Sequence, residues 1–132
     1  FGMDLMGMSD KRVVIVFDFQ HPVEKYLFYT PDLPKVEGKY RFFEAGNHFS
    51  DNLVVRYCKP DEVDEHLPLF TKYLQYYKDM LNEHQPIGTD TTQYVDFDRY
   101  MIRLDPISGY LSSRFGKEKS HNLIKEFFFS YA

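Results

Sequence analysis

The sequence predicts an α+β fold, and three observations predict it. A β-branched run stands near the start, the hydrophobic period switches from two to about 3.6 after Pro60, and no strand pattern returns after the switch. Lys11 to Gln20 reads as a strand, because Val13, Val14, Ile15, Val16 and Phe17 are β-branched or aromatic. A run that is apolar on consecutive positions is apolar on both faces, which assigns it an interior place in a sheet. It stops before His21-Pro22. Tyr26 to Tyr29 reads as a second short strand, closed by Thr30-Pro31-Asp32-Leu33-Pro34. Lys39 to Glu44 follows Gly38 as the next, so this stretch predicts an antiparallel hairpin with a long loop. Leu53 to Lys59 comes after the turn residues Gly46-Asn47 and Ser50-Asp51-Asn52 and ends at Pro60.

Val63, Leu67, Phe70, Leu74, Tyr77 and Leu81 then recur at alternating spacings of four and three, the signature of one long amphipathic helix. Asp61, Glu62, Asp64 and Glu65 lie at its start, where carboxylates complement the macrodipole, so the acidic run needs no ligand. Pro68 either kinks this helix or marks its start. Tyr94, Phe97, Met101 and Leu104 mark a second helix ending at Asp105-Pro106. Ile107 to Phe115 is a third, stopped by Gly116, and a last one carries Leu123, Ile124, Phe127 and Phe128.

At 132 residues, with 43% hydrophobic and 27% charged, the chain is sized for one domain with a modest core. The longest apolar run, Val13 to Phe17, is far too short to cross a bilayer, and no segment reads as a signal peptide, so no membrane association is expected. The single cysteine, Cys58, excludes an internal disulfide, and five scattered histidines offer no zinc cluster. A net charge of −4 argues against a general nucleic-acid binder. Thirteen Phe and eleven Tyr are the compositional anomaly; they either fill a core or line a pocket for a planar ligand. The opening residues, Phe1-Gly2-Met3-Asp4-Leu5-Met6, read as an entry partway through a domain, with an upstream part expected.

No phosphate loop, nucleophile elbow, His-Glu-x-x-His or dinucleotide fingerprint is present. The chemistry-bearing residues are acids in apolar company. Asp4, if its segment is extended, faces opposite Met3 and Leu5, and desolvation in a cavity there would raise its pKa; the alternative is a turn residue beside Gly2. Asp105 before Pro106 is ordinary helix-start chemistry. Asp18, inside the apolar strand, requires a partner, Arg or Lys first, or a pocket. His21 and His48 are candidate pocket residues, and Arg56 is placed to reach a ligand carboxylate or a surface ion pair.

Three stretches carry a family resemblance: Phe1 to Met6, Val14 to Pro22, and Leu104-Asp105-Pro106 through Tyr110 with Arg114-Phe115-Gly116-Lys117 and Glu126 to Phe129. Together they resemble the ferredoxin-dependent bilin reductases. The likeness is greatest to the viral-type phycoerythrobilin synthases, through Lys39 to Glu44, Asn47 to Ser50 and Val55 to Val63. The resemblance implies a three-layer α/β/α sandwich around an antiparallel sheet, of which this chain is the C-terminal portion of a single domain. It implies reduction of biliverdin IXα to phycoerythrobilin through 15,16-dihydrobiliverdin, with no metal or flavin bound and reduced ferredoxin as electron donor. Asp4 then matches the central proton-donating acid and Asp105 the second, while Phe19, His48 and Arg56 are substrate-binding candidates. A monomer in the cytoplasm of a cyanobacterium or a phage-infected host is implied, and an unpaired strand edge is expected where the upstream part is lacking. Alternatives are a relative with another product (15,16-dihydrobiliverdin or phycocyanobilin), a non-reducing bilin-binding module or chaperone, and a structural remnant. Six basic residues between Arg99 and Lys125, against Asp105 and Glu118, are the expected docking region for an acidic ferredoxin.

Overall fold

The computed structural model of the chain describes residues 1–40, 46–83, 91–104 and 107–132. These form two compact units, one taking in the described residues up to 83 and the other those from 91 onward.

The first unit holds a three-stranded antiparallel sheet in the order β1 (Gly2–Ser9), β2 (Arg12–Asp18), β3 (Val54–Cys58). Asp10 and Lys11 turn β1 into β2, and Lys11 N–H donates to the Ser9 hydroxyl at 3.2 Å. Asp4 lies opposite Val16 and Met6 opposite Val14, while Val14 lies opposite Tyr57 and Val16 opposite Val55. β2 therefore occupies the interior position that its continuous apolar run predicts, and Val13 to Phe17 are all buried. β1 is an edge strand among the described residues.

Alternation along β2 sends Val13, Ile15 and Phe17 to one face, and Phe19 just beyond the strand continues that row. With Val54, Leu33 and Tyr73 they form the core, against which Phe70, Tyr77 and Met80 of α1 (Leu67–Glu83) pack. Tyr73 is completely buried, stacked on Phe19 at 5.2 Å and tilted against Phe17 at 5.6 Å. The aromatic excess is thus largely core filling in this unit. A 3-10 helix, Pro60–His66, precedes α1, and Glu62 accepts the Lys59 N–H at 2.9 Å. Pro68 sits in the first turn of α1, where a missing N–H costs nothing; it marks the start of the α-helix rather than a kink.

The hairpin expected from Tyr26 to Glu44 is corrected in part. Tyr26 to Tyr29 is not a strand: Tyr26 stacks on His21 at 3.9 Å, and Phe28 packs on Phe19 at 5.4 Å. Their aromatic character is spent on ring contacts with no neighbouring strand to pair. Lys39 and Tyr40 are not in a strand either, and Arg41 to Glu44 lie outside the described residues.

The second unit is helical: α2 (Thr92–Leu104), α3 (Ile107–Phe115) and α4 (Lys117–Leu123), the last running into a π turn, Ile124–Phe128. Gly116 takes a φ of +82°, which favours glycine, and its N–H donates to the Ser112 carbonyl at 3.0 Å, closing α3 as predicted. Buried Asp98 accepts the Tyr131 N–H at 2.7 Å and Tyr94 stacks on Tyr131 at 5.1 Å, tying the chain's last residues to α2. No described helix is long and apolar enough to cross a membrane.

Candidate functional site

The sheet face turned away from the α1 core carries the chemistry. The register puts Asp4 and Met6 of β1, Arg12, Val14, Val16 and Asp18 of β2, and Val55 and Tyr57 of β3 on this one face. Val14 and Val16 are buried and form an apolar floor. Charge is confined to its ends. At one end the Arg12 guanidinium lies 4.2 Å from the centroid of the Tyr57 ring, a cation–π contact that fixes the head group. Beside them opens a cleft of about 470 Å³ that Lys11 and Lys59 also line. Asp4 and Asp18 are toward the other end. Val16, the partner of Asp4, is four positions along β2 from Arg12, or about 13 Å at a strand's rise.

Asp18 is the best defined acid of this face. It is 1% exposed, and burial pushes its carboxyl up to about 7, against the lowering effect of hydrogen bonds from Ser50. The Ser50 hydroxyl donates to Asp18 Oδ1 at 2.6 Å, and the Ser50 N–H reaches both carboxyl oxygens at 3.2 and 3.3 Å. Among the described residues no Arg or Lys pairs with it; Ser50 bonds it instead, because the bridge between Gln20 and Phe49 and the bond from Ser50 N–H to the Phe19 carbonyl bring residue 50 to the end of β2. The network continues inward. Asn52 N–H donates to Ser50 Oγ at 3.1 Å, Thr30 donates to Asn52 Oδ1 at 2.6 Å, and the Tyr73 hydroxyl donates to the Asn52 carbonyl. Tyr73 has its pKa raised by burial and then by the Asp18 charge, so it stays a neutral donor. The result is an acid that changes charge near neutrality, with its orientation fixed.

The residues singled out from the sequence fall in different places. Asp4 faces opposite Met3 and Leu5, as alternation requires, yet it is exposed; an edge strand leaves it outside the cavity that desolvation needed. Asp105 lies outside the described residues. Phe19 is 1% exposed within the α1 core, its ring stacked on Tyr73, so it sits on the opposite side of the sheet from Asp4. Arg56, opposite Ile15, is exposed on that same covered side. His48 is buried at the end of the sheet, next to the bridge between Gln20 and Phe49. Its Nδ1 is 3.0 Å from the His21 carbonyl oxygen, which can only accept, so Nδ1 carries the proton, while Nε2 lies 3.9 Å from Glu24 Oε1. Arg12 and Tyr57 escaped the sequence reading. The signal that finds them is their parity with Asp4 once the strand register is known. Among the described residues no group of three or more His, Cys, Asp and Glu side chains is arranged to hold a metal ion.

No family model matches the chain. Curated proteins do. The chain is 30% identical over 153 residues to the 15,16-dihydrobiliverdin:ferredoxin oxidoreductase of Gloeobacter violaceus, an alignment covering 99% of this chain and 62% of the relative. It is 28% identical to the protein of that name from Nostoc punctiforme, with the same two coverages. Its relatives are ferredoxin-dependent bilin reductases. One, the phycoerythrobilin:ferredoxin oxidoreductase of Prochlorococcus marinus, is 25% identical over 98% of this chain and 60% of its own length. The resemblance read from the sequence is borne out by these bilin reductases, and the chain spans less than two thirds of the length of each of them.

Proposed function

We propose that this chain is the C-terminal portion of a single bilin reductase domain, a three-layer α/β/α sandwich, that reduces biliverdin IXα to phycoerythrobilin through 15,16-dihydrobiliverdin. The observation that carries this reading is the kinship with ferredoxin-dependent bilin reductases over 99% of the chain. The geometry supports it with a flat apolar strip bearing acids toward one end and a fixed cation at the other. A planar tetrapyrrole seated along β1 over half-buried Met6, with buried Val14 and Val16 behind it, has its rings near Asp4. Its propionates fall within reach of Arg12, whose guanidinium pairs well with carboxylates.

Each two-electron step then takes two electrons, delivered singly by ferredoxin, and two protons. Adding an electron to the conjugated pigment makes it more basic, and a neutral carboxylic acid placed against it gives up its proton. Asp4 is the first such donor and Asp105 the second; the carboxylates left behind recover their protons from water. Covering by the pigment supplies the desolvation that exposed Asp4 lacks without it. Phe19 supports the strip from the covered side through Tyr73, and His48 orders the chain at the end of the sheet through the His21 carbonyl. Arg56 remains a substrate contact in this reading only for a pigment that reaches around the edge of β3. The reading carries a monomer, a cytoplasmic setting and no resident cofactor.

A second reading ends at 15,16-dihydrobiliverdin and is favoured by the names of the Gloeobacter and Nostoc relatives. Anaerobic incubation of the protein with biliverdin IXα and reduced ferredoxin, followed by chromatography of the pigment, separates the readings. Phycoerythrobilin supports the first and accumulated 15,16-dihydrobiliverdin the second. Pigment bound and returned unreduced identifies a carrier and overturns both.

A further inference from the structure

We propose that the exposed elbow between α3 and α4 is the docking surface for an acidic protein, the electron donor that the bilin reductase reading requires. Residues 113–119 are all exposed and hold Arg114, Lys117 and Lys119 against a single acid, Glu118. Two aromatic rings stand among the cations, Tyr110 at 59% and Phe115 at 51% exposure. The Arg114 guanidinium lies 5.3 Å from the Tyr110 ring and the Lys119 ammonium 5.5 Å from the Phe115 ring. None of the three cations is ion-paired among the described residues.

Within the same basic region Arg103 also rests on a ring, Tyr100 at 5.4 Å, whereas Arg99 is paired. Arg99 lies 3.5 Å from Asp96, and its charge is already answered within α2. A cation resting on a ring keeps its N–H donors for an incoming carboxylate, and its head group is held in advance, which lowers the entropy lost on docking. Arg114 with exposed Tyr110 and Phe115 has the composition of protein interface cores, and Lys117 and Lys119 beside them that of a polar rim. Gly116 shapes the elbow: its left-handed φ of +82° breaks the chain sharply, and nothing lies within 4 Å of where a side chain would begin. The surface around it is therefore open to a partner. Charge complementarity selects an acidic protein, and three of the six cations between Arg99 and Lys125 stand together at this elbow.

The inference rests on the bilin reductase reading for the identity of the partner, and its test separates the two. Binding of oxidised [2Fe–2S] ferredoxin to the protein is measured by calorimetry at low and high salt. The proteins compared are the natural one, a charge-reversed elbow (Arg114→Glu, Lys117→Glu, Lys119→Glu), a neutralised elbow (Lys117→Gln, Lys119→Gln) and an α2 control (Arg99→Glu). The expected result is binding that weakens with salt, a loss of tenfold or more in the reversed elbow, a smaller loss in the neutralised one, and less than twofold in the control. Equal affinity of natural and elbow proteins, or no binding by the natural protein, overturns the docking assignment. Pigment reduction by dithionite is followed in parallel. It should be unchanged in the elbow variants, and docking intact with a pigment that no donor reduces would overturn the functional reading instead.

Discussion

Val13, Ile15, Phe17 and Phe19 on one side of β2 and its continuation meet the rings of α1, whereas Arg12, Val14, Val16 and Asp18 on the other side present a strip with charge only at its ends. The two faces share a backbone and most of their apolar chemistry, and β2 is buried on both; they differ in that the rings of α1 pack on one and charged groups stand at the ends of the other. On the covered face the rings lock one another: Phe17 and Phe19 pack on Tyr73, Phe70 packs on Phe17, and the Tyr73 hydroxyl is bound to Asn52. On the opposite face the one fully buried polar side chain, Asp18, is oriented from the same inner network through Ser50. The packed face thus holds the position of groups on the chemical face, and stability and chemistry can be perturbed separately.

The largest expected effect lies on the covered face. Phe17→Ala removes a ring packed on both Phe70 and Tyr73 and should cost about 3–5 kcal/mol in urea unfolding. A cost below about 1 kcal/mol would show that this face is not the core. Next comes Asp18, whose effect depends on pH. Its folded carboxyl titrates at about 7 and an unfolded one at 3.8, so between those values the unfolded chain ionises while the folded one keeps its proton. Stability should therefore fall as pH rises from about 4 to 7, by up to roughly 4 kcal/mol, and level off above. Asp18→Asn should flatten that segment of the profile, and an unchanged slope would assign it to other groups. Smaller still is Arg12→Gln, which should weaken pigment binding by about 1.5–3 kcal/mol, the worth of a charge-assisted hydrogen bond, with little change in unfolding. Equal affinity in a fluorescence or absorbance titration would free the strip of that end.

Much of this contrast was legible in the sequence. The consecutive apolar residues of β2 announced an interior strand, the four-and-three spacing announced α1, and Gly116 marked the end of α3. Local pattern was misleading where partners are distant. Tyr26 to Tyr29 has strand composition, but its rings are taken by His21 and Phe19. Asp18 was visible as an acid in apolar company, but its partner Ser50 lies 32 positions onward, and no local signal points there. Arg12 and Tyr57 meet only because the register sets Val14 opposite Tyr57. Asp4 was identified by its neighbours, yet its exposure follows from β1 being an edge strand among the described residues, a fact of topology rather than of composition.

The central claim is that the strip beneath Asp4 receives the pigment and that this carboxyl gives it a proton. Asp4→Asn keeps the shape of the side chain and removes the acid, so the direct measurement is single-turnover reduction of bound biliverdin IXα by reduced ferredoxin in this variant. The account predicts pigment affinity within a few-fold of the natural protein and a reduction rate lower by about 10²–10⁴-fold, the usual contribution of a positioned acid. A variant that reduces the pigment at the natural rate to the same product would contradict it.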